Sequence, residues 1–223
     1  ANDLALLSFD VSSKFKNHLA LPQHFAHLQD GDMVTTSVWI KCAEPSTEIQ
    51  RGGIVLGCQS ERLNDRWPYY HWQIIMVDSK GFVRGSFESQ RHVAMVGKKV
   101  NDGKWHHVVV AANTTSQWLY VDGVLQASLT SDSLKECWVT ATGAHSNIQI
   151  GNGVISGNTA GKPRANWDAE YPFYGEVCYF MMIPHCLGSL QVESLYRTQK
   201  RDMENRRVLA WALWVLEVLE ARG

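Results

Sequence analysis

"WHHVVVAANTTSQWLYVDGVLQAS", residues 105 to 128, is the stretch whose reading decides the fold. Two strand-like runs of β-branched and aromatic residues flank a polar break at residues 113–115, and the second run meets Asp122-Gly123 before a third begins. An Asp-Gly pair accepts the positive φ that a tight two-residue connection needs, so the last two runs are expected to pair as a hairpin. Two histidines in such a stretch either carry chemistry or stand as bystanders in an all-β frame. Neighbouring strand positions point to opposite faces, so His106 and His107 cannot jointly hold one metal ion without help from elsewhere.

Working outward, short apolar runs recur along the chain: "LALLSFD", "NHLALP", "MVTTSVWIKC", "GGIVLGC", "HWQIIMVD", "GFVRGSF", "NIQIGNG" and "GEVCYFMMIP". Turn residues separate them at fairly regular intervals, among them "DSKG" at 78–81 and "NDGKW" at 101–105. That spacing predicts an antiparallel sandwich or barrel, and the scarcity of helix-period segments before residue 188 argues against an α/β fold. At 223 residues, a single large β domain is the expected unit.

Composition narrows the partners. Hydrophobic residues make up 45% and charged residues 19% of the chain, the balance of a folding chain rather than a disordered one. A formal charge of −1 with both signs interspersed gives no basic footprint for nucleic acid. No apolar run approaches the ~18 residues of a membrane span, and the opening "ANDLALLSFD" lacks the regions of a signal peptide. The expectation is a cytosolic chain or an excised piece, with an extracellular origin left open. The five cysteines, Cys42, Cys58, Cys137, Cys178 and Cys186, cannot all pair within the chain and show no zinc or redox spacing. Cys42 and Cys178 lie in apolar runs, where the thiol acts as a small hydrophobe. Asn113 heads an N-x-T sequon, relevant only in the secretory pathway.

After the last strand the period changes. "LGSLQVESLYRT" predicts a short helix with Ser189 available as its N-cap, and "RDMENRRVLAWALWVLEVLEARG" predicts a second with Asp202 near its start. Division into a sandwich over residues 1–198 and a helical extension over 199–223 follows. The apolar positions from Val208 to Leu219 cover most of the circumference, so this helix is expected to need a protein partner or a further domain.

Motifs with known catalytic mechanics are absent: no nucleophile elbow, phosphate loop, H-E-x-x-H or EF-hand pattern occurs. Asp168 and Glu170 are neighbouring acids in a turn-rich stretch, read first as solvated loop charges and second as metal or sugar ligands. Two long turn-rich segments, 59–72 and 156–173, carry the ligand-like chemistry. Arg66, Trp67, Tyr69 and Tyr70 in the first, and Asn166, Trp167 and Asp168 in the second, combine aromatic faces with planar polar groups. Such faces stack on sugars or anchor proteins, while Asn, Asp and Arg fix hydroxyls by directional hydrogen bonds.

The order of the runs, and above all "DGKWHHVVV" followed by "LYVDG" and a closing "YGEV" and "CLGSLQVESLY", resembles the laminin-G-like, concanavalin A-like jelly-roll superfamily over about residues 4–198. The resemblance implies a two-sheet antiparallel jelly-roll sandwich in which Trp105, His106, Asp122 and Gly123 are structural. It implies a non-catalytic module that binds glycans or proteins, often near calcium; Asp65 and Asp168, with Asn166, are the oxygen donors that loop chemistry offers for such an ion. The acids that alternate along a strand in the family's glucanases are missing, so a glycoside hydrolase ranks last. The alternative is a structural interaction domain within a large intracellular scaffold, similar to the concanavalin A-like domain of BEACH-family proteins. The fold by itself does not choose between them.

Overall fold

The computed structural model describes residues 7–9, 19–20, 33–42, 52–59, 71–87, 95–130, 147–151 and 172–220. In chain order the strands are β1 (Leu7–Phe9), β2 (Leu19–Ala20), β3 (Val34–Cys42), β4 (Gly53–Gln59), β5 (His71–Val77) and β6 (Phe82–Gly85). They continue as β7 (Met95–Lys99), β8 (Trp105–Ala112), β9 (Ser116–Val121), β10 (Val124–Thr130), β11 (Asn147–Ile150) and β12 (Gly175–Ile183), followed by the helix α1 (Ser189–Glu220). One sheet has the order β1-β12-β3-β8-β9-β10 and the other β2-β11-β4-β5-β6-β7, each pairing antiparallel. The all-β, two-sheet expectation is met.

Alternation along the strands explains the layering. On β3, Val34, Val38, Ile40 and Cys42 enter a core shared with Val108 and Val110 of β8, Leu119 and Val121 of β9, and Val55, Ile75, Val77 and Val83 of the opposite sheet. The intervening residues of β8 and β9, Val109, Ala111 and Tyr120, lie on the other face of their sheet, where they pack against Val192 of α1 with Trp118, Cys186 and Leu187 around them. Both faces of this sheet are therefore covered at its centre. That is why β3 and β8 are buried almost throughout while the edge strand β10 is not.

The β9–β10 connection is the hairpin expected: Asp122 and Gly123 have φ of 53° and 78°, the positive pair of a type I′ turn. A Cβ on Gly123 would lie 3.0 Å from the Tyr196 ring, so α1 approaches the turn closely.

The C-terminal region differs from expectation. The two helices anticipated on either side of residue 198 are one helix of 32 residues, Ser189–Glu220. No Gly or Pro interrupts this span, so the switch from an amphipathic to an apolar pattern changes the helix surface without breaking its backbone. Its N-terminus also differs. Gly188 precedes the helix, its N–H donating to Gln191 Oε1 at 2.9 Å while its carbonyl accepts from the amides of Gln191 and Val192. Ser189 is thus already helical, and its hydroxyl lies 3.2 Å from the Tyr120 hydroxyl.

Candidate functional site: a clamped sandwich rim

Sheet pairing gathers several turns at one end of the sandwich. β3 ends there at Cys42, whose carbonyl accepts from Gly103, and Gly81 accepts from Val100. Gly151 donates to Val55, Phe173 donates to Gly151, and Pro172 bridges Ile54. This end therefore carries the roots of segments 43–51 and 152–171 beside the turns at 78–81, 101–104 and 122–123.

A charged clamp binds two of these turns. His106, at the start of β8, places Nδ1 2.9 Å from Asp122 Oδ2 and Nε2 2.9 Å from Asp102 Oδ1. Asp122 Oδ1 accepts the His107 amide at 2.9 Å, and its Oδ2 also meets Lys98 Nζ at 2.5 Å. Burial opposes the charge on Asp122, but the hydrogen bonds from His106, Lys98 and the His107 amide prevail and hold its carboxyl down at about 2. Every oxygen of Asp122 and both nitrogens of His106 are engaged in holding turns together. Such a cluster positions backbone.

His107 faces the other way, as strand alternation requires. Its ring lies 5.2 Å from that of Trp39 and 5.9 Å from that of Tyr196, centroid to centroid. Nε2 contacts the Ser37 hydroxyl at 2.8 Å, while Nδ1 is buried without a partner among the described residues. Burial lowers its pKa to about 4, against the pull of Asp122, so His107 is neutral at physiological pH. On the same face Trp39 Nε1 donates to Gln199 Oε1 at 2.7 Å, and Tyr179, at φ 50° in a bulge of β12, hydrogen-bonds Asp202. These contacts fasten α1 to the sheet as far as residue 202.

The ligand candidates read from the sequence, Asp65, Arg66, Trp67, Tyr69, Tyr70, Asn166, Trp167 and Asp168, lie outside the described residues. Their anchors are described. Segment 60–70 is rooted at the Gln59–His71 pair, and segment 152–171 at Gly151 and Pro172. Gln59 and Ile54 stand at opposite ends of β4, about 16 Å apart at strand rise. The two aromatic segments thus spring from opposite ends of one strand. No cluster of three or more His, Cys, Asp or Glu suited to a metal occurs among the described residues, so these offer no oxygen cage for calcium.

The thiols behave as the sequence implied. Cys42 is fully buried, with Sγ 3.9 Å from the Tyr174 carbonyl. Burial, with Glu176 nearby, pushes the Cys178 thiol up to about 12, which suppresses its thiolate. No described helix is long and apolar enough to cross a membrane.

Asp102, Lys98 and Gln199 escaped the sequence reading, and Asp202, read there only as lying near a helix start, holds Tyr179 instead. The spacing of Asp102 to His106 across a tight Gly turn was a usable signal, because such a turn folds position i back onto i+4. Gln199 and Asp202 had none, since their partners are 160 and 23 residues away.

Comparisons with known proteins agree with this architecture. Over 114 residues the chain is 27% identical to the rat (Rattus norvegicus) "Sushi, von Willebrand factor type A, EGF and pentraxin domain-containing protein 1", covering 50% of this chain and 3% of that protein. The chain thus spans only a small part of that relative. A Trypanosoma rangeli sialidase bound to difluorosialic acid superposes with a TM-score of 0.51 at 17% identity, over 76% of this chain and 23% of the sialidase. A heptameric SAP-like pentraxin from Limulus polyphemus aligns with a TM-score of 0.48 at 14% identity, over 87% of this chain and 82% of its own. At such identities the sialidase likeness shows fold alone. A family model described as the concanavalin A-like lectin/glucanases superfamily matches residues 13–176, well over half of the chain. With the two six-stranded sheets and the Trp-His strand closed by Asp122-Gly123, this match places the chain within the concanavalin A-like lectin/glucanase superfamily.

Proposed function

We propose that the chain is a non-catalytic recognition module that binds a glycan or a protein surface at the clamped rim, through segment 152–171. The observation that carries this reading is the His106 clamp. It ties the turns at 101–104 and 122–123 into one rigid edge beside Gly151 and Pro172, and binding loops are commonly borne by such rigid scaffolds. Asn166, Trp167 and Asp168 belong to this segment and supply one stacking face with two directional polar groups. Arg66, Trp67, Tyr69 and Tyr70 belong to segment 60–70, which is rooted at the far end of β4. A glycan array followed by titration, with and without calcium, tests the reading. Trp167→Ala is expected to weaken the best ligand at least ~10-fold, about the 1.4 kcal/mol or more that an aromatic anchor contributes, while Trp67→Ala leaves it unchanged. Loss confined to Trp67→Ala would move the site to the other end of the sandwich.

A second reading rests on α1. The helix continues for 18 residues past Asp202, about 27 Å at helical rise. Its sequence there is the apolar run from Val208 to Leu219, which favours an arm that joins the sandwich to a protein partner or a further domain, as in a scaffold. Removal of residues 206–223 is then expected to raise solubility and abolish self-association in sizing experiments. Equal behaviour of the two chains would remove the support for this reading.

A further inference from the structure

We propose that His106 is a pH-sensitive tie: doubly protonated, it holds the 101–104 turn to the 122–123 hairpin, and loss of one proton releases the Asp102 arm. This inference concerns the rim itself and does not depend on what the rim binds. The geometry imposes it. Both ring nitrogens lie 2.9 Å from a carboxylate oxygen, and an ionised carboxylate only accepts hydrogen bonds, so both contacts require an N–H. A neutral imidazole has one N–H, and its bare nitrogen would face a carboxylate lone pair. One of the two contacts must then open.

The surroundings decide which. Asp122 is held by the His107 amide and by Lys98, and its side chain is only 19% exposed. Asp102 is 47% exposed, with Lys104 Nζ at 3.8 Å and the Lys104 amide on its Oδ1 at 3.0 Å. From α1, Lys200 adds a positive charge toward Asp122, and neutral His107 is the adjacent titratable group. The looser arm is Asp102. Releasing it frees a turn whose Gly103 amide holds the Cys42 carbonyl and whose neighbour Val100 holds Gly81, so the rim loosens where segment 43–51 begins.

The direction of the pH dependence follows. Burial alone would lower the His106 pKa, but the hydrogen bonds to Asp122 and Asp102 and the charges of both raise it above the ordinary histidine value. Asp122 and Asp102 are both shifted down and stay ionised across this range. The tie is therefore complete below the ordinary histidine pKa of about 6.5 and is lost as pH rises through the elevated value.

Hydrogen exchange of the full chain, read over residues 98–106 at about pH 6 and about pH 9 and corrected for intrinsic rates, tests this. Protection is expected to fall on the order of 10-fold at the higher pH, a loss comparable to one hydrogen bond, while β8 residues 108–112 stay protected. In Asp102→Asn the side-chain oxygen keeps the Lys104 amide, but the negative charge that holds the second ring proton is gone, so the pH effect should vanish. Nitrogen shifts of the His106 ring near pH 6 should show both positions protonated. Equal protection at the two pH values, an unchanged pH effect in Asp102→Asn, or a ring with one bare nitrogen near pH 6 would each overturn the proposal.

Discussion

Trp39→Ala is expected to destabilise the protein by about 3–5 kcal/mol and to loosen α1 from the sheet. Trp39 is 3% exposed on the outer face of β3, stacked on Tyr196 with centroids 5.6 Å apart and planes 17° from parallel. Its indole N–H satisfies Gln199, itself buried at 6%. Truncation removes the stack on Tyr196 and leaves the Gln199 carbonyl oxygen without its donor, so a cavity cost and an unpaired polar group add. The check is a chemical denaturation curve together with amide exchange over residues 189–202. A loss below about 1.5 kcal/mol, or unchanged exchange in the helix, would mean that the Trp39 seam does not hold α1.

Gly53→Ala is expected to cost at least about 2–3 kcal/mol and to disturb the rim. Gly53 has φ 128°, where L side chains are strained, and a Cβ there would lie 2.1 Å from the Pro172 carbonyl oxygen and 2.4 Å from Phe173 Cα. Both obstacles are backbone, and Phe173 is locked at 1% exposure in the core, so neither retreats without moving the return of segment 152–171. Gly188→Ala is the control: its nearest obstacle is Gln191 Oε1 at 3.8 Å and its φ is not in the left-handed region. Parallel thermal unfolding of the two variants should show a large loss for the first and little change for the second. Similar losses in both would sink the close-approach argument, and intact ligand binding in Gly53→Ala would detach the rim from recognition.

Much of the fold was legible in local pattern. The Asp122-Gly123 hairpin, the strand runs from Val34 to Ile183 and the opposite facing of His106 and His107 each depend on a few consecutive residues, because strand alternation and turn chemistry are short-range. The helix was read correctly as helix and incorrectly as two. A change in amphipathic pattern at residues 198–202 resembles a boundary, yet only a residue that disfavours helical φ and ψ would create one, and none occurs there.

The candidate site was legible only as residue types. Aromatics with Asn, Asp and Arg in long loops can be picked from the chain, but whether two loops share a surface is a question of strand order, and β4 carries their roots at opposite ends. His106 could be recognised as part of a family pattern, and its second carboxylate, Asp102, stands four residues ahead across the 101–104 turn, a local spacing that the pattern itself does not mark.

By itself, then, the sequence determined an all-β sandwich with its tightest hairpin at residues 122–123 and an apolar terminal helix, because these follow from periodicities of two and 3.6 residues and from backbone preferences of single residues. The tertiary structure alone decided that Trp39, His107, Tyr196 and Gln199 form one seam, that Asp122 reaches the imidazole that Asp102 also holds, and that the two aromatic segments are rooted at opposite ends of β4. Those relations join residues up to 160 positions apart. They depend on which strands become neighbours, and no local preference encodes that order.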